Sequence, residues 1–411
     1  MKILIFSTAY LPFVGGAELA VKEITDRLSP ADFSFDLITL NLDGEQKPEE
    51  HIGNTRVIRL AVPKWRFPFA AFRAARARHT QTPYASVWSI MASYGGFAGL
   101  FFKHHFPKVP FILTLQEGDS FSRIYRRVFF IWPLFKMIFT RADRITAISH
   151  YLADWARTMG ATAPVSIIPN GVDVGKFKVA CPPTCPRIGR RVGRRESLKL
   201  KGEEVRERLG IKAGEKVIIT TSRLVEKNGV GDLIEAMRYL PENIKLFILG
   251  GGVLEKNLKL KTSNLQLAGR VQFLGHVRHG DIPTYLHLSN VYARPSRTEG
   301  MGSSFIEAMA AGLPVIATPV GGITDFLYAP LPGSNEEKQL VANSRELAND
   351  WGERITGLFC EVKNPKSIAE KATMLLSNDE LRKRIVTNAE KMVSERYEWK
   401  GIVEKMKSIF A

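Results

Sequence analysis

Residues Val291–Thr318 read VYARPSRTEGMGSSFIEAMAAGLPVIAT, and few folds accommodate such a string. Val291–Ala293 is a short apolar run of strand type, and Pro295 ends it. Arg297–Gly302 is polar, carries Gly300 and Gly302, and reads as a loop. Ser303 or Ser304 is suited to cap a helix through Phe305, Ile306, Ala308, Met309 and Ala310, and Gly312 stops it. Pro314–Thr318 is a second strand. The unit is strand–loop–helix–strand, with Glu299 in the loop and Glu307 one turn into the helix.

Such a unit has the makings of an anion site. A helix start leaves unpaired N–H groups, and its dipole concentrates partial positive charge there. Gly300 and Gly302 let a ligand approach the backbone, and a diphosphate fits the amides around Ser303–Phe305. The two carboxylates repel phosphate but accept hydrogen bonds from hydroxyls. The ligand implied has phosphates in the middle and hydroxyls on either side, as a nucleotide-sugar has. An ordinary βαβ unit with two solvated glutamates fits the same letters equally well.

At 411 residues the chain is too long for one compact core, so two α/β domains are expected. No apolar run reaches the ~18 residues that span a bilayer. The nearest, Val128–Phe139, is broken by Pro133 and Lys136. Cys181, Cys185 and Cys360 form neither a disulfide framework nor a Cys-only metal set, so a reduced cytoplasm is expected. The formal charge of +17 calls for an anionic partner, and part of it is concentrated in Arg187–Arg208. No nucleic-acid-binding signature accompanies it, so nucleic acid is not the expected partner.

Strand and helix patterns alternate along both halves. Lys2–Ser7 is a strand, followed by Gly15–Gly16 and a helix over Ala17–Leu28, a turn shaped for close ligand approach. Further strands fall at Phe35–Leu40, Val57–Val62, Ser86–Ile90, Phe111–Leu115, Arg144–Ser149 and Val165–Pro169. The basic, aromatic stretch Lys64–Arg78 fits a domain helix with a solvated basic face, or contact with an anionic membrane. Ser122–Arg141 reads as a core helix with basic edges. The loop Gln116–Ser120 stands at the carboxyl end of a strand, where ligands of parallel sheets bind. Cys181–Lys201 reads as an exposed linker or insertion, and a second strand–helix series starts at Lys216. Ala329–Arg354 is a polar surface excursion. This alternation means two doubly wound parallel sheets.

Arg223 and Lys227 follow the strand Val217–Thr221 in a helix-opening loop, which suits them to a diphosphate. A solvated loop is the plain alternative. No Asp-x-Asp occurs to hold Mg²⁺, so no metal is expected. His104–His105 and His276–His279 lack acidic or Cys partners at metal-ligand spacing and read as surface or loop histidines.

The segments RADRITAISHYLADWARTMGATAPVSIIPNGVD, SRLVEKNGVGDLIEAM, VQFLGHV and RTEGMGSSFIEAMAAGLPVIAT together resemble glycosyltransferase family 4. The resemblance implies a GT-B fold: two Rossmann-like α/β domains facing a cleft, with a C-terminal helix crossing back to the first. It places an acceptor-side domain at 1–177, a basic linker at 178–214, a donor-binding domain at 215–392 and the crossing helix at 393–411. It implies a retaining, metal-independent transfer of a hexosyl group from a nucleoside-diphosphate sugar to a glycan or lipid-linked acceptor. By position, Arg223, Lys227, Gly302, Ser303 and Ser304 correspond to donor diphosphate ligands. Glu299 faces the transferred sugar, Glu307 the ribose hydroxyls, and Gly15–Gly16 form the loop over donor and acceptor. Many relatives carry a His where this chain has Gln116, whose amide can bond a sugar hydroxyl but takes up no proton near neutral pH. A cytoplasmic enzyme is expected, and contact with anionic lipid at the inner membrane face through Lys64–Arg78 and Ser122–Arg141 is the alternative reading of those two stretches. The alternatives are a sugar-nucleotide 2-epimerase on the same fold and a catalytically silent sugar-nucleotide-binding protein.

Overall fold

The structure, a computed structural model, describes residues 1–13, 15–178, 205–342 and 354–411. The linker expected at Cys181–Lys201 and the later part of the Ala329–Arg354 excursion lie outside them; a helix, Asn335–Ala342, occupies its earlier part. The chain forms two compact units, Met1–Gly171 with Trp399–Ala411, and Val172–Glu398. The sequence reading set these divisions near 177 and 392. Val172 belongs to the second unit through its N–H, which donates to the Tyr397 carbonyl at 2.8 Å.

The first unit holds strands β1 (Lys2–Phe6), β2 (Ser34–Leu40), β3 (Glu49–Ile52), β4 (Thr55–Leu60), β5 (Ser86–Ile90), β6 (Phe111–Leu115), β7 (Arg144–Ala147) and β8 (Val165–Ile167). Their order is β3-β4-β2-β1-β5-β6-β7-β8, parallel except for the β3–β4 hairpin. Continuous apolar runs suit strands covered on both faces, and Ile3–Phe6 of β1 are fully buried. The sequence reading did not include β3. Its EEHI run is short, charged and at the sheet edge, so no apolar signal announces it.

The terminal helix Trp399–Phe410 packs on the helix Gly16–Arg27. The Phe410 ring meets Trp88 edge-on at 5.2 Å, and Trp399 lies against Gly171. The end of the chain thus completes the core of its beginning.

The second unit holds β9 (Lys216–Thr221), β10 (Ile244–Leu249), β11 (Val271–Gly275), β12 (Val291–Arg294), β13 (Val315–Ala317) and β14 (Leu358–Phe359), all parallel in the order β11-β10-β9-β12-β13-β14.

Ser122–Arg141 corrects the sequence reading. It is two helices, Phe121–Val128 and Trp132–Thr140, joined by a turn at Phe129–Ile131. Only the second contributes to the core, through Phe135, Ile138 and Phe139; the first buries no residue. Phe129 and Phe130 are 71% and 95% exposed. Pro133, at the head of the second helix, helps to divide them.

Candidate functional site

In the second unit the loops after β9, β12 and β13 meet at the carboxyl ends of the strands. Their organiser is Arg294, the buried last residue of β12. Its Nη2 donates to Glu299 Oε2 at 2.5 Å, its Nη1 to Ser304 Oγ at 2.7 Å and its Nε to Ser296 Oγ at 3.2 Å. The guanidinium also stacks on the Phe305 ring, 4.2 Å from its centre. One fork thereby fixes the loop, its carboxylate and the following helix start. Glu299 Oε1 accepts from the Gly300 N–H at 3.1 Å, and the side chain stays 13% exposed. Tyr292, also from β12, brings its hydroxyl 2.7 Å from Ser304 Oγ.

The helix runs Ser303–Ala310, with Gly302 in the capping position and no side-chain cap. This corrects the expectation that Ser303 or Ser304 caps it. The Ser304 hydroxyl is instead held by Arg294 and Tyr292, and no side-chain cap takes up the first backbone amides of the helix. Of these, the Phe305 N–H donates to the Gly302 carbonyl at 3.0 Å.

Glu307, one turn on, is buried, and its Oε1 lies 2.8 Å from His279 Nε2. The hydrogen bond to Glu307 raises the His279 pKa against the pull of burial. His279 is therefore no mere surface histidine, although it sits in a short turn at His279–Asp281. Sequence gave no sign of this pair, because 28 positions separate its members.

Arg223 and Lys227 stand in the loop after β9, Arg223 exposed and Lys227 half-buried. Asn228 Nδ2 donates to the Arg223 carbonyl at 2.7 Å, and the Arg297 N–H donates to the Lys227 carbonyl at 2.6 Å. Arg297 further pairs with Glu226 at 3.0 Å and Asp232 at 3.2 Å. Two glycines let the loops touch. Gly229 has φ +66°, and a Cβ there would lie 1.9 Å from the Pro295 carbonyl oxygen. Gly321 has φ +56°, and its Cβ would lie 1.9 Å from the Glu299 carbonyl oxygen. The structure thus gathers Glu299, Gly302, Ser303 and Ser304 at one turn, sets the Arg223–Lys227 loop against it, and pairs Glu307 with His279.

In the first unit, Gln116 directly follows β6 as a buried side chain whose Oε1 accepts from Asn170 Nδ2 at 3.2 Å. The neighbouring Glu117 is also buried. Its Oε1 accepts from the Ala92 N–H at 2.5 Å and its Oε2 from the Gln116 N–H at 2.9 Å. Burial pushes this carboxyl up to about 7, against the backbone N–H groups that favour its charge. Just before Ala92, Met91 is held at φ +69°, a left-handed backbone that costs a non-glycine residue about 1 kcal/mol or more. Gly15 occupies the cap position of the helix Gly16–Arg27, whose start has no side-chain cap. It lies in the loop that joins β1 to that helix, and β5 separates β1 from β6.

Two doubly wound parallel-sheet units, the first completed by the last helix of the chain, are the GT-B architecture. The family described as glycosyl transferases group 1 matches residues 201–329, and that described as Glycosyltransferase Family 4 matches residues 14–176. The chain belongs to these group 1, family 4 glycosyltransferases. It is 30% identical over 207 residues to an uncharacterized glycosyltransferase of Methanocaldococcus jannaschii, a match over 50% of this chain that spans about half, 47%, of that relative. Among solved structures, sucrose-phosphate synthase from Thermosynechococcus elongatus superposes with a TM-score of 0.79 at 19% identity, covering 100% of this chain and 98% of that one. Anabaena HepE in complex with UDP and glucose gives 0.75 at 20% identity, covering 100% and 99%. At such identities the likeness is one of fold.

Proposed function

We propose that this chain transfers a sugar, with retention of configuration, from a nucleoside-diphosphate donor to a hydroxyl of a glycan or lipid-linked acceptor. The observation that carries the reading is the Arg294-centred cluster, which joins an acidic side chain to a helix start without a side-chain cap. In this reading Arg223, Lys227 and the amides at Gly302–Ser304 hold the diphosphate, and their charge stabilises it as it leaves, with no metal. Glu299 accepts hydrogen bonds from the transferred sugar, and Glu307 from the ribose. Gln116 and the Gly15–Gly16 loop serve the acceptor side. The bound UDP of the HepE complex supports a nucleotide donor. Glu299→Ala and Arg223→Ala are each expected to lower sugar transfer by about a hundredfold or more. A panel of nucleotide sugars, ranked first by thermal shift, supplies the donor for that assay. Full turnover in both variants would overturn the reading.

A membrane-borne acceptor is part of the same proposal. The helices Phe67–Gln81, Tyr94–His105 and Trp132–Thr140 pack side by side, and each leads back to a strand start. Their N-terminal ends therefore lie toward the carboxyl ends of the strands, where Gln116 follows β6. Trp65 (61% exposed), Phe69, Phe129 and Phe130 stand at those ends, beside Lys64, Arg66, Arg123, Arg126 and Arg127. Exposed aromatics among cations suit the interface of an anionic bilayer. Among the described residues no helix is long and apolar enough to cross one. Flotation with phosphatidylglycerol vesicles at low salt is expected to carry the protein up. Phe129→Ser/Phe130→Ser is expected to reduce the bound fraction at least fivefold. Failure of the wild-type protein to float retires the membrane reading and leaves sugar transfer standing.

A further inference from the structure

Among the buried ionisable groups to which the roles above give no part, Glu117 stands next to a candidate site residue, Gln116. Glu117 lies under the carboxyl-end loops of the first unit, where the Ala92 and Gln116 N–H groups donate to its two oxygens and its own N–H also bonds it. Ala92 comes from the loop after β5, Gln116 from the end of β6. The Gln116 side chain is in turn tied to Asn170, beyond β8. One carboxylate therefore joins two adjacent loops, and one of the residues it holds is the candidate for contact with the reacting groups. Among the neighbouring elements, Met91–Ser93 and Asn170 bring no charge. Asp119, on the same loop, is paired with Arg127 at 3.3 Å; Glu18 lies in the first turn of the helix after β1, and His150 opens the helix after β7.

We infer that Glu117, as a carboxylate, is the positioning residue of this site: it holds the two loops in the arrangement that presents Gln116 to the acceptor. The inference rests on the reading of the first unit as the acceptor side. A carboxylate offers an acceptor to both N–H groups. A carboxylic acid turns one of its oxygens into a donor, which then opposes an N–H and gives up that tie. With its pKa raised to about 7, Glu117 carries its charge above that pH and takes up a proton below it. Turnover is therefore expected to rise with pH through about 7, as the second tie forms.

Glu117→Gln tests this without a change of size. The amide keeps one acceptor and sets an NH₂ against the other backbone N–H. The variant is expected to melt near the wild-type temperature and to bind the nucleoside diphosphate equally well. Its kcat is expected to fall about tenfold or more, with the rise through pH 7 abolished. Hydrogen exchange, corrected for intrinsic rates, supplies a readout independent of catalysis: protection of the Ala92 or Gln116 amide is expected to fall at least tenfold. A Glu117→Gln enzyme that keeps the wild-type pH profile overturns the inference. So does unchanged protection of both amides, whether or not sugar transfer is observed. Lost protection in a protein that transfers no sugar instead sustains the positioning role and discards the enzymatic reading.

Discussion

Arg294→Ala is expected to abolish donor binding and to lower the melting temperature of the second unit by roughly 10 °C. The guanidinium is buried and ends three separate interactions, with Glu299, Ser304 and Ser296, besides its stacking on Phe305. Its removal leaves the largely buried Glu299 carboxylate without its cation, a change that costs about 3–5 kcal/mol in comparable pairs. For a unit of this size each kcal/mol shifts melting by roughly 2–4 °C. Scanning calorimetry measures the first effect and titration with a nucleoside diphosphate the second. Arg294→Lys retains the charge but not the fork, so it should recover only part of either. The pairwise origin is separable as well. Arg294→Met/Glu299→Leu removes both charges and should melt well above Arg294→Ala, while still failing to transfer sugar. An Arg294→Ala protein that melts within two degrees or so of wild type and binds donor normally would show that Arg294 organises nothing.

The difference between what the sequence disclosed and what it concealed follows from the range of the interactions. Parallel strands buried on both faces are written as local apolar runs, so β1, β5, β6, β9 and β12 were legible to within a residue or two. The strand–loop–helix turn at Glu299 was legible for the same reason, since glycines and a helix pattern are local. Arg294 was in view at the end of β12, but a single arginine there reads as a solvated strand end. Only the folded chain brings Ser304 and Phe305 around it. His279 and Glu307 meet across 28 positions, and Glu117 meets Ala92 across 25. No spacing rule relates such pairs. Ser122–Arg141 misled in the opposite direction: its aromatic residues announce a core helix, yet the first of its two helices buries no residue fully. Composition reports that apolar side chains are present; topology decides which of them are covered.

Backbone crowding makes the second large prediction. Gly229→Ala is expected to destabilise the second unit by about 3 kcal/mol and to weaken donor binding roughly a hundredfold. Gly214→Ala, on the same unit, is expected to cost only about 1 kcal/mol and to leave the donor site intact. Both glycines have positive φ, +66° and +83°, so both substitutions carry the strain of a left-handed backbone. They differ in what the new methyl meets. At Gly214 nothing lies within 4 Å, whereas at Gly229 the Pro295 carbonyl oxygen would be 1.9 Å away. That oxygen belongs to the backbone, not to the tip of a flexible side chain. The loop bearing Arg223 and Lys227 must therefore withdraw from the loop bearing Glu299, and the hydrogen bond from the Arg297 N–H to the Lys227 carbonyl stretches with it. If two loops have to meet for the diphosphate to be gripped, affinity must fall with their contact, beyond what strain alone explains. Equal losses in the two variants, in stability and in affinity alike, would mean that the contact at Gly229 does not hold the donor site together.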